Sequence, residues 1–411
     1  MADLKANGFS IQTKSYFKRI SEYDSETKAC ILLVLISLIN VVACAIGVFA
    51  IALWLCFKKN KPKVLNKLNA LGFCFVLFSF TVSAVYLNYF GLFGTLYFLS
   101  ALYIMLRFKQ TATFEKIQDI FTVLVSYSVI AFIVALIQKI FDLSAIKGRS
   151  ASTFLNANYY CVYVSFVIII CLYRILFENR NKALYLTMLF INFVAVFVTA
   201  SKMPWFGIFA AVGVMLICSK RYKTIAVLGI IAVIGCIALY LLKDYNIAEK
   251  LNMNSFAKSF RDRYSYWNQA ISGFIEKPLF GRGMLGFLKH SVDENIKALG
   301  NFHFDFGNIE ASFDSLKGLG WHLHAHNILF DCLYNYGITG TVILAVLVVK
   351  RCIECYRLNG KNFSNPIFTL LISGILVIMV DGIVDCQIVG VQTMFLCVFF
   401  MSLAGIKSEQ A

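Results

Sequence analysis

The sequence is poor in charge, in proline and in histidine. Only 15% of its 411 residues are charged, it has 4 prolines and 5 histidines, and 59% of it is hydrophobic. A soluble domain needs more polar surface than this composition supplies. Apolar runs of roughly 18–20 residues recur along the chain, and each is long enough to cross a bilayer as a helix. The sequence therefore predicts an all-α, polytopic integral membrane protein.

Several signatures of catalysis and transport are missing as well. The sequence has no glycine-rich phosphate-binding loop with Lys and Ser or Thr, which excludes a motor driven by nucleoside triphosphates. It has no Gly-x-Ser-x-Gly nucleophile elbow. Acidic residues within apolar runs, the usual mark of proton-coupled transport, are nearly restricted to Asp331, Asp381 and Asp385. No cysteine lies in the long polar segment 243–325, so we expect no disulfide framework.

Basic residues outnumber acidic ones, with 38 Lys and Arg against 22 Asp and Glu. A nucleic-acid partner is one explanation of such an excess, but here the cations mark the ends of apolar runs. That distribution is typical of topology signals in a membrane protein. The predicted apolar segments are 29–57, 70–88, 89–106, 119–141, 157–177, 183–201, 204–218, 223–242, 326–349, 366–382 and 386–405.

The topology depends on segment 29–57, which is long for one span and short for two. Lysines and arginines flank it on both sides, so both flanks are predicted to be cytoplasmic and the segment to turn back near Asn40. This choice gives about 12 crossings, with both termini inside and one large extracytoplasmic loop between helices 9 and 10. The predicted parts are a cytoplasmic segment 1–28, nine helices in 29–242, the loop 243–325, and three helices with a cytoplasmic tail in 326–411.

The segment Trp321-His-Leu-His-Ala-His326-Asn327 contains three of the five histidines, at the junction of the polar loop and an apolar run. Ionisable groups at a membrane boundary are usually kept for function. Histidine suits a general base because its pKa is near ~6.5, and Asn327 suits an orienting or capping role. Three imidazoles also suit zinc, although no carboxylate or thiolate stands beside them in sequence. Interfacial polar residues at a helix start are the third interpretation.

Cations on the predicted outer side form a second group of candidates. Arg261 and Arg263 precede Trp267 in the loop, while Arg149 and Lys202 lie at the outer ends of helices. Positive charge that breaks the positive-inside pattern favours an anionic ligand, and guanidinium groups pair with two phosphate oxygens at once. Lipid phosphate or simple interface anchoring explains each cation singly, whereas a shared anionic substrate explains them jointly.

Four motifs, taken in order, resemble the O-antigen ligase and polymerase family of bacterial envelope proteins, over roughly residues 148–345. The motifs are Gly148-Arg-Ser-Ala-Ser-Thr-Phe154 with Asn156 and Asn158; Thr199-Ala-Ser-Lys-Met-Pro-Trp205; Arg263 with Trp267 and Lys277-Pro-Leu-Phe-Gly-Arg-Gly283; and His324-Ala-His-Asn327 with Asn335-Tyr-Gly-Ile-Thr-Gly340. One departure is that Lys202 stands where the family usually has arginine, which keeps the charge but loses the bidentate fork.

The resemblance implies a glycosyltransferase of the bacterial inner (plasma) membrane. Such enzymes transfer a glycan from undecaprenyl pyrophosphate to an acceptor sugar hydroxyl, and they use no cofactor, metal or nucleic acid. Polymerisation of surface polysaccharide repeat units is the leading expectation. Ligation to lipid A core or another acceptor, a flippase for the same lipid-linked glycan, and a zinc-dependent hydrolase remain alternatives. The expected catalytic residues are His326, Arg263 and His324, and the expected pyrophosphate and glycan contacts are Arg149, Lys202, Arg261, Trp267, Arg282 and Asn327.

Overall fold

The computed structural model describes residue 16 and residues 18–58, 67–143, 148–178, 181–241, 253–300 and 322–407. Within these ranges the protein is all-helical. The helices are α1 (Ser25–Ile39), α2 (Val41–Cys56), α3 (Lys67–Val85), α4 (Tyr89–Thr111), α5 (Phe114–Ile140), α6 (Ala157–Tyr173), α7 (Lys182–Thr199), α8 (Pro204–Cys218), α9 (Tyr222–Leu241), α10 (Met253–Glu276), α11 (Gly286–Gly300), α12 (Ile328–Leu358), α13 (Pro366–Asp381) and α14 (Val391–Ser402).

Every predicted apolar segment corresponds to one helix, except 29–57, which corresponds to two. Within the described residues five helices are long and apolar enough to cross a membrane. These five are α4, α5, α6 with its π-helical extension to Glu178, α7 and α12. The polar segment 243–325, predicted as a loop, contains two further helices, α10 and α11. The number of crossings and the placement of the loop remain predictions.

The predicted turn at Asn40 is confirmed. Asn40 is in extended conformation, so it ends α1, and its side chain accepts a hydrogen bond from Ala43 N that caps α2. The two helices pack against each other, with Gly47 close to Ile36 and Leu33. Because these contacts lie on either side of Asn40, residues 25–56 form a helical hairpin. Its arms of 15 and 16 residues are shorter than the ~20 residues of a full crossing.

The predicted inner loops gather at one end of the helix bundle. Arg107 pairs with Glu26 at 2.5 Å, Arg19 pairs with Asp119 at 2.5 Å, and Lys109 pairs with Glu354 at 2.9 Å. These contacts join the start of α1, the α4–α5 turn and the end of α12. These three basic segments therefore lie together, and the candidate site forms at the other end of the bundle.

Helix α6 is the centre of the bundle. Nearly all its residues are buried, and α7, α8 and α13 pack around it. Its N-terminus is capped by Asn156, whose side chain accepts a hydrogen bond from Tyr159 N at 2.9 Å. The cap fixes where α6 begins, and Asn158 lies in its first turn.

Helix α12 is broken at Gly337, which has φ +60° and ψ −166°. The break leaves backbone groups without helical partners, and the segment that follows α10 supplies them. Arg282 N and Gly283 N donate to Asn335 O at 3.0 and 2.7 Å, and Ile338 N donates to Pro278 O at 2.8 Å. Gly281, with φ +67°, lies so close to Asn335 that a Cβ would clash. The two glycine-containing motifs of the sequence are thus two halves of one docking contact.

Candidate functional site

The three histidines lie in irregular chain that leads into α12, neither on a strand nor on a helix, and His326 has a left-handed backbone with φ +53°. Asn327 is the N-cap, and its side chain accepts hydrogen bonds from Leu329 N and Phe330 N at 3.0 Å each. The same side chain donates to Ile383 O at 2.8 Å, and Ile328 N donates to Gly382 O at 2.7 Å. The histidine segment is therefore tied to the turn between α13 and α14, and the predicted capping role of Asn327 is confirmed.

Asp385, in that turn, lies between two of the histidines. Its Oδ1 is 3.1 Å from His324 Nε2 and 3.5 Å from His326 Nδ1. His324 Nδ1 accepts a hydrogen bond from His326 N at 3.0 Å, so the ring proton of a neutral His324 is on Nε2, which donates to the carboxylate. His326 Nδ1 is buried and has no hydrogen-bond partner. His326 itself is half-buried, with 31% of its side chain exposed, whereas His324 is enclosed.

Burial sets the protonation of this cluster. Burial is the main cause that lowers the pKa of His324 to about 4, and it acts against the carboxylate of Asp385, which raises that pKa. Burial alone raises the pKa of Asp385, but the two histidines outweigh it and lower that pKa below its ordinary value. At neutral pH the pair is therefore a neutral imidazole that donates to a carboxylate.

Beside this cluster is a cavity of about 220 Å³ whose wall is rich in charged groups. Arg149, Lys202 and Arg263 line it, together with the carboxylates of Asp381 and Asp385. Three cations against two carboxylates leave one net positive charge when all five groups are ionised. Burial lowers the pKa of Arg149, and the nearby charge of Arg263 lowers it further. Like charges held together in a partly buried site repel one another, and a bound anion relieves that repulsion. The arrangement is therefore typical of an anion-binding pocket.

Asn158 joins the cations to the carboxylate. Its Oδ1 accepts hydrogen bonds from Arg149 Nη2 at 2.5 Å and from Ser201 Oγ at 2.8 Å, while its Nδ2 donates to Asp385 Oδ2 at 2.5 Å. Arg149 Nε is buried without a hydrogen-bond partner. The start of α6, the α7–α8 turn that bears Lys202 and the α13–α14 turn that bears Asp385 thus converge on one amide.

Four other predicted contacts lie outside the cavity wall. Trp267 Nε1 donates to His326 O at 3.2 Å, so Trp267 supports the histidine segment from α10. Arg261 is exposed. Arg282 pairs with Glu276 and lies 5.2 Å over the ring of Tyr334, within the docking contact of the broken helix. Asn327 caps α12. The structure therefore brings together Arg149, Lys202, Arg263, His324 and His326 out of the nine predicted residues.

The structure adds residues that were not among the predicted site residues. Asp385 and Asn158 connect the histidines to the cations, and Asp331 accepts a hydrogen bond from Ala325 N at 3.0 Å, which holds the histidine segment from within α12. Cys386 Sγ contacts the same carboxylate at 3.4 Å. The sequence feature that pointed to Asp331 and Asp385 was the rarity of carboxylates in apolar runs. Asn158 belongs to the first of the four motifs.

No carboxylate stands beside the histidines in sequence, but the fold brings Asp385 to them. His324, His326 and Asp385 each offer one ligand atom, and these atoms lie within 4.8 Å of one another. Two imidazoles and a carboxylate are a donor set that zinc uses. The arrangement therefore fits either a histidine base oriented by a carboxylate or a metal site, and an experiment must separate the two.

Comparison with known protein families finds a similarity in the central part of the chain. The family model described as O-antigen ligase matches residues 183–345. These residues are similar to an O-antigen ligase domain. A search of curated proteins gives no match.

The O-antigen ligase domain covers α7 to the first half of α12, and so includes Lys202, Arg263, His324, His326 and the docking contact at Gly337. The resemblance predicted from the motifs is confirmed for this part of the chain. Arg149 and Asn158 precede the matched residues, and Asp385 follows them. The cavity is therefore completed by helices on both sides of the domain.

Proposed function

We propose that the protein transfers a glycan from undecaprenyl pyrophosphate to the hydroxyl of an acceptor sugar at the outer face of the bacterial plasma membrane. The observation that supports this most is the juxtaposition of a three-cation cavity with His326, through Asp385. The O-antigen ligase domain points to lipid-linked glycans as substrates in general. Residues 1–28 and the tail would then be cytoplasmic, and 243–325 would be extracytoplasmic.

In the proposed reaction, His326 accepts the proton of the acceptor hydroxyl through Nε2. Closure of the 3.5 Å gap between its Nδ1–H and Asp385 Oδ1 would orient the ring and stabilise the imidazolium. The hydroxyl oxygen bonds to the anomeric carbon of the donor as the bond from that carbon to the pyrophosphate oxygen breaks. The electron pair remains on the lipid pyrophosphate, which Arg149, Lys202 and Arg263 stabilise as it leaves.

The role of His324 differs from that of His326. His324 is 3% exposed, and both its nitrogens are engaged within the protein. Its position between the His326 backbone and Asp385 suits it to hold the base and the carboxylate in place. We therefore propose His326 as the base and His324 as a positioning residue.

Polymerisation of polysaccharide repeat units remains the preferred reaction, with a second lipid-linked unit as acceptor. Ligation to lipid A core or another acceptor is the second candidate, and the family description favours it. Both use the same chemistry, so the acceptor decides between them. Purified protein supplied with lipid-linked repeat units alone yields longer lipid-linked chains if it is a polymerase, and needs a second acceptor if it is a ligase.

A topology experiment tests the basis of the proposal. Lys297, on α11, has a side chain that is 71% exposed. A Lys297→Cys variant in intact cells or spheroplasts should react with a membrane-impermeant maleimide. Reaction only after lysis would place α10 and α11 in the cytoplasm and overturn the proposed function.

The decisive assay is transfer from a defined undecaprenyl-pyrophosphate glycan by purified protein in excess chelator, with alanine variants of His322, His324 and His326. Chelator-resistant transfer that is lost in His326→Ala supports a general base. Stoichiometric metal in the purified protein, inhibition by chelator and similar losses in His324→Ala and His326→Ala would replace it with a metal enzyme. Movement of intact donor across the bilayer without transfer would indicate a flippase.

A further inference from the structure

A second cavity, of about 190 Å³, lies within the helix bundle between α3, α4, α12 and α14. Its wall is almost entirely apolar and includes Phe75, Leu102, Leu347 and Met401. Protein interiors leave few voids larger than a water molecule, and an apolar void does not hold water. A cavity of this kind inside a membrane protein is suited to a hydrocarbon chain.

The cavity has a polar mouth at one end only. Lys109 and Arg351 line it there with Asn69, and among the described residues its wall includes no acidic side chain. The two cations share one carboxylate, Glu354, at 2.9 and 2.8 Å. Arg351 Nη2 also donates to Asn69 Oδ1 at 3.1 Å. One positive charge is therefore left over at the mouth, which complements an anionic head group.

This mouth is remote from the candidate active site. Ile328 begins α12 beside the histidines, and Arg351 lies 23 positions along the same helix, so the two are about 35 Å apart at 1.5 Å per residue, less the effect of the break. From Arg351 the cavity wall continues to Tyr336, about 22 Å along the helix. That depth exceeds the ~15 Å that one leaflet contributes to a ~30 Å hydrocarbon core, so the cavity is long enough for the acyl chain of a lipid in one leaflet.

We propose that this cavity binds an anionic phospholipid of the leaflet opposite the active site, with an acyl chain between α3, α4, α12 and α14 and its phosphate at Lys109 and Arg351. Under the proposed topology this is the cytoplasmic leaflet. A lipid whose phosphate lies at this mouth cannot place a pyrophosphate among Arg149, Lys202 and Arg263, so the proposed occupant is distinct from the lipid-linked donor.

Gly72 offers a direct test because it lines the cavity, and a Cβ there would meet only Leu102 Cδ2 at 3.4 Å, an ordinary contact. Gly72→Leu should fill the cavity without disturbing the helices. Gly213, on α8, has nothing within 4 Å of an added Cβ, so Gly213→Leu is the matched control. Lys109→Gln tests the head group while the cavity stays open.

Each purified protein is delipidated in detergent and incubated with equal amounts of phosphatidylglycerol and phosphatidylethanolamine, and retained lipid is counted by native mass spectrometry. Wild type and Gly213→Leu should retain one phosphatidylglycerol, and Gly72→Leu should retain none. Lys109→Gln should lose about fivefold in its preference for the anionic lipid, the effect of one basic residue near a lipid surface.

Two results would overturn the proposal without reliance on the folding of a variant. The first is that wild type shows no preference between the two lipids. The second is that undecaprenyl phosphate displaces phosphatidylglycerol from wild type, which would assign the cavity to the donor tail. Equal retention by Gly72→Leu and Gly213→Leu, with both variants showing the thermal stability of wild type, would also overturn it.

Discussion

The two ends of the helix bundle both collect buried or half-buried cations, but they neutralise them differently. At the predicted inner end, Arg107 is 1% exposed and pairs directly with Glu26. At the other end, Arg149 hydrogen-bonds the neutral amide of Asn158, while the carboxylate of Asp385 bonds to His324 and to the same amide. The pair of Arg107 and Glu26 is one cation against one carboxylate, so no charge is left over for a ligand. The amide of Asn158 instead keeps Arg149 apart from the carboxylate of Asp385 around a cavity, so the charge of Arg149 is available for binding.

The largest expected effect concerns the base. His326→Ala should reduce transfer by about 10²–10⁴-fold, the usual contribution of a general base, and leave donor binding nearly intact. His322→Ala is the matched control, since His322 packs on Tyr266 and makes no contact with Asp385 among the described interactions. Single-turnover transfer and donor binding are measured on both. Normal transfer by His326→Ala would return the segment to a structural role.

The comparison of the two ends is tested by Arg149→Ala against Arg107→Ala. Loss of Arg149 removes a leaving-group contact and should lower transfer by about 10²–10³-fold with little change in thermal stability. Loss of Arg107 leaves Glu26 unpaired in a buried site and should destabilise the protein by about 3–5 kcal/mol. Melting temperature and transfer rate are measured on each. If both variants lose only stability, the two ends are alike and the cavity is not a binding site.

A smaller effect is expected from acid. The folded-state pKa of His324 is lowered to about 4, while its unfolded value is near ~6.5. Below pH 6.5 the unfolded chain therefore binds a proton that the folded protein does not, and stability is lost as pH falls from 6.5 towards 4. Thermal unfolding of wild type should show this slope, and His324→Gln should flatten it. An unchanged slope in the variant would assign the acid sensitivity to other groups.

The smallest effect should come from Lys202→Arg. Lys202 lines the cavity, and arginine keeps its charge while adding a planar fork that pairs with two phosphate oxygens. Transfer should be unchanged or improved, whereas Arg263→Lys, the reverse change at the same cavity, should be impaired. Donor KM and kcat of the two variants provide the measurement. Equal impairment by both would show that the cavity responds to side-chain length and not to the fork.

Much of the architecture can be predicted from the sequence because helices and their caps depend on interactions between residues that are close in sequence. A run of apolar residues must become a helix in a bilayer, since every backbone polar group needs a partner there. Capping by Asn327 and the turn at Asn40 are also local, because an asparagine side chain bonds its own backbone two or three residues on. Helix α11 was not predicted, since it lacks a long apolar run and packs against α12 and other neighbours.

The sequence by itself therefore determined an all-helical membrane protein, the family resemblance of its central segment, and the residue types of the candidate site. Only the tertiary structure decided which of these residues meet. Asp385 lies 59 positions from His326 and Asn158 lies 227 positions from Asp385, yet one hydrogen-bond network joins them. Such contacts depend on how α6, α8, α12 and α13 pack, and helix packing is set by the complementarity of many buried side chains at once, which no local pattern records.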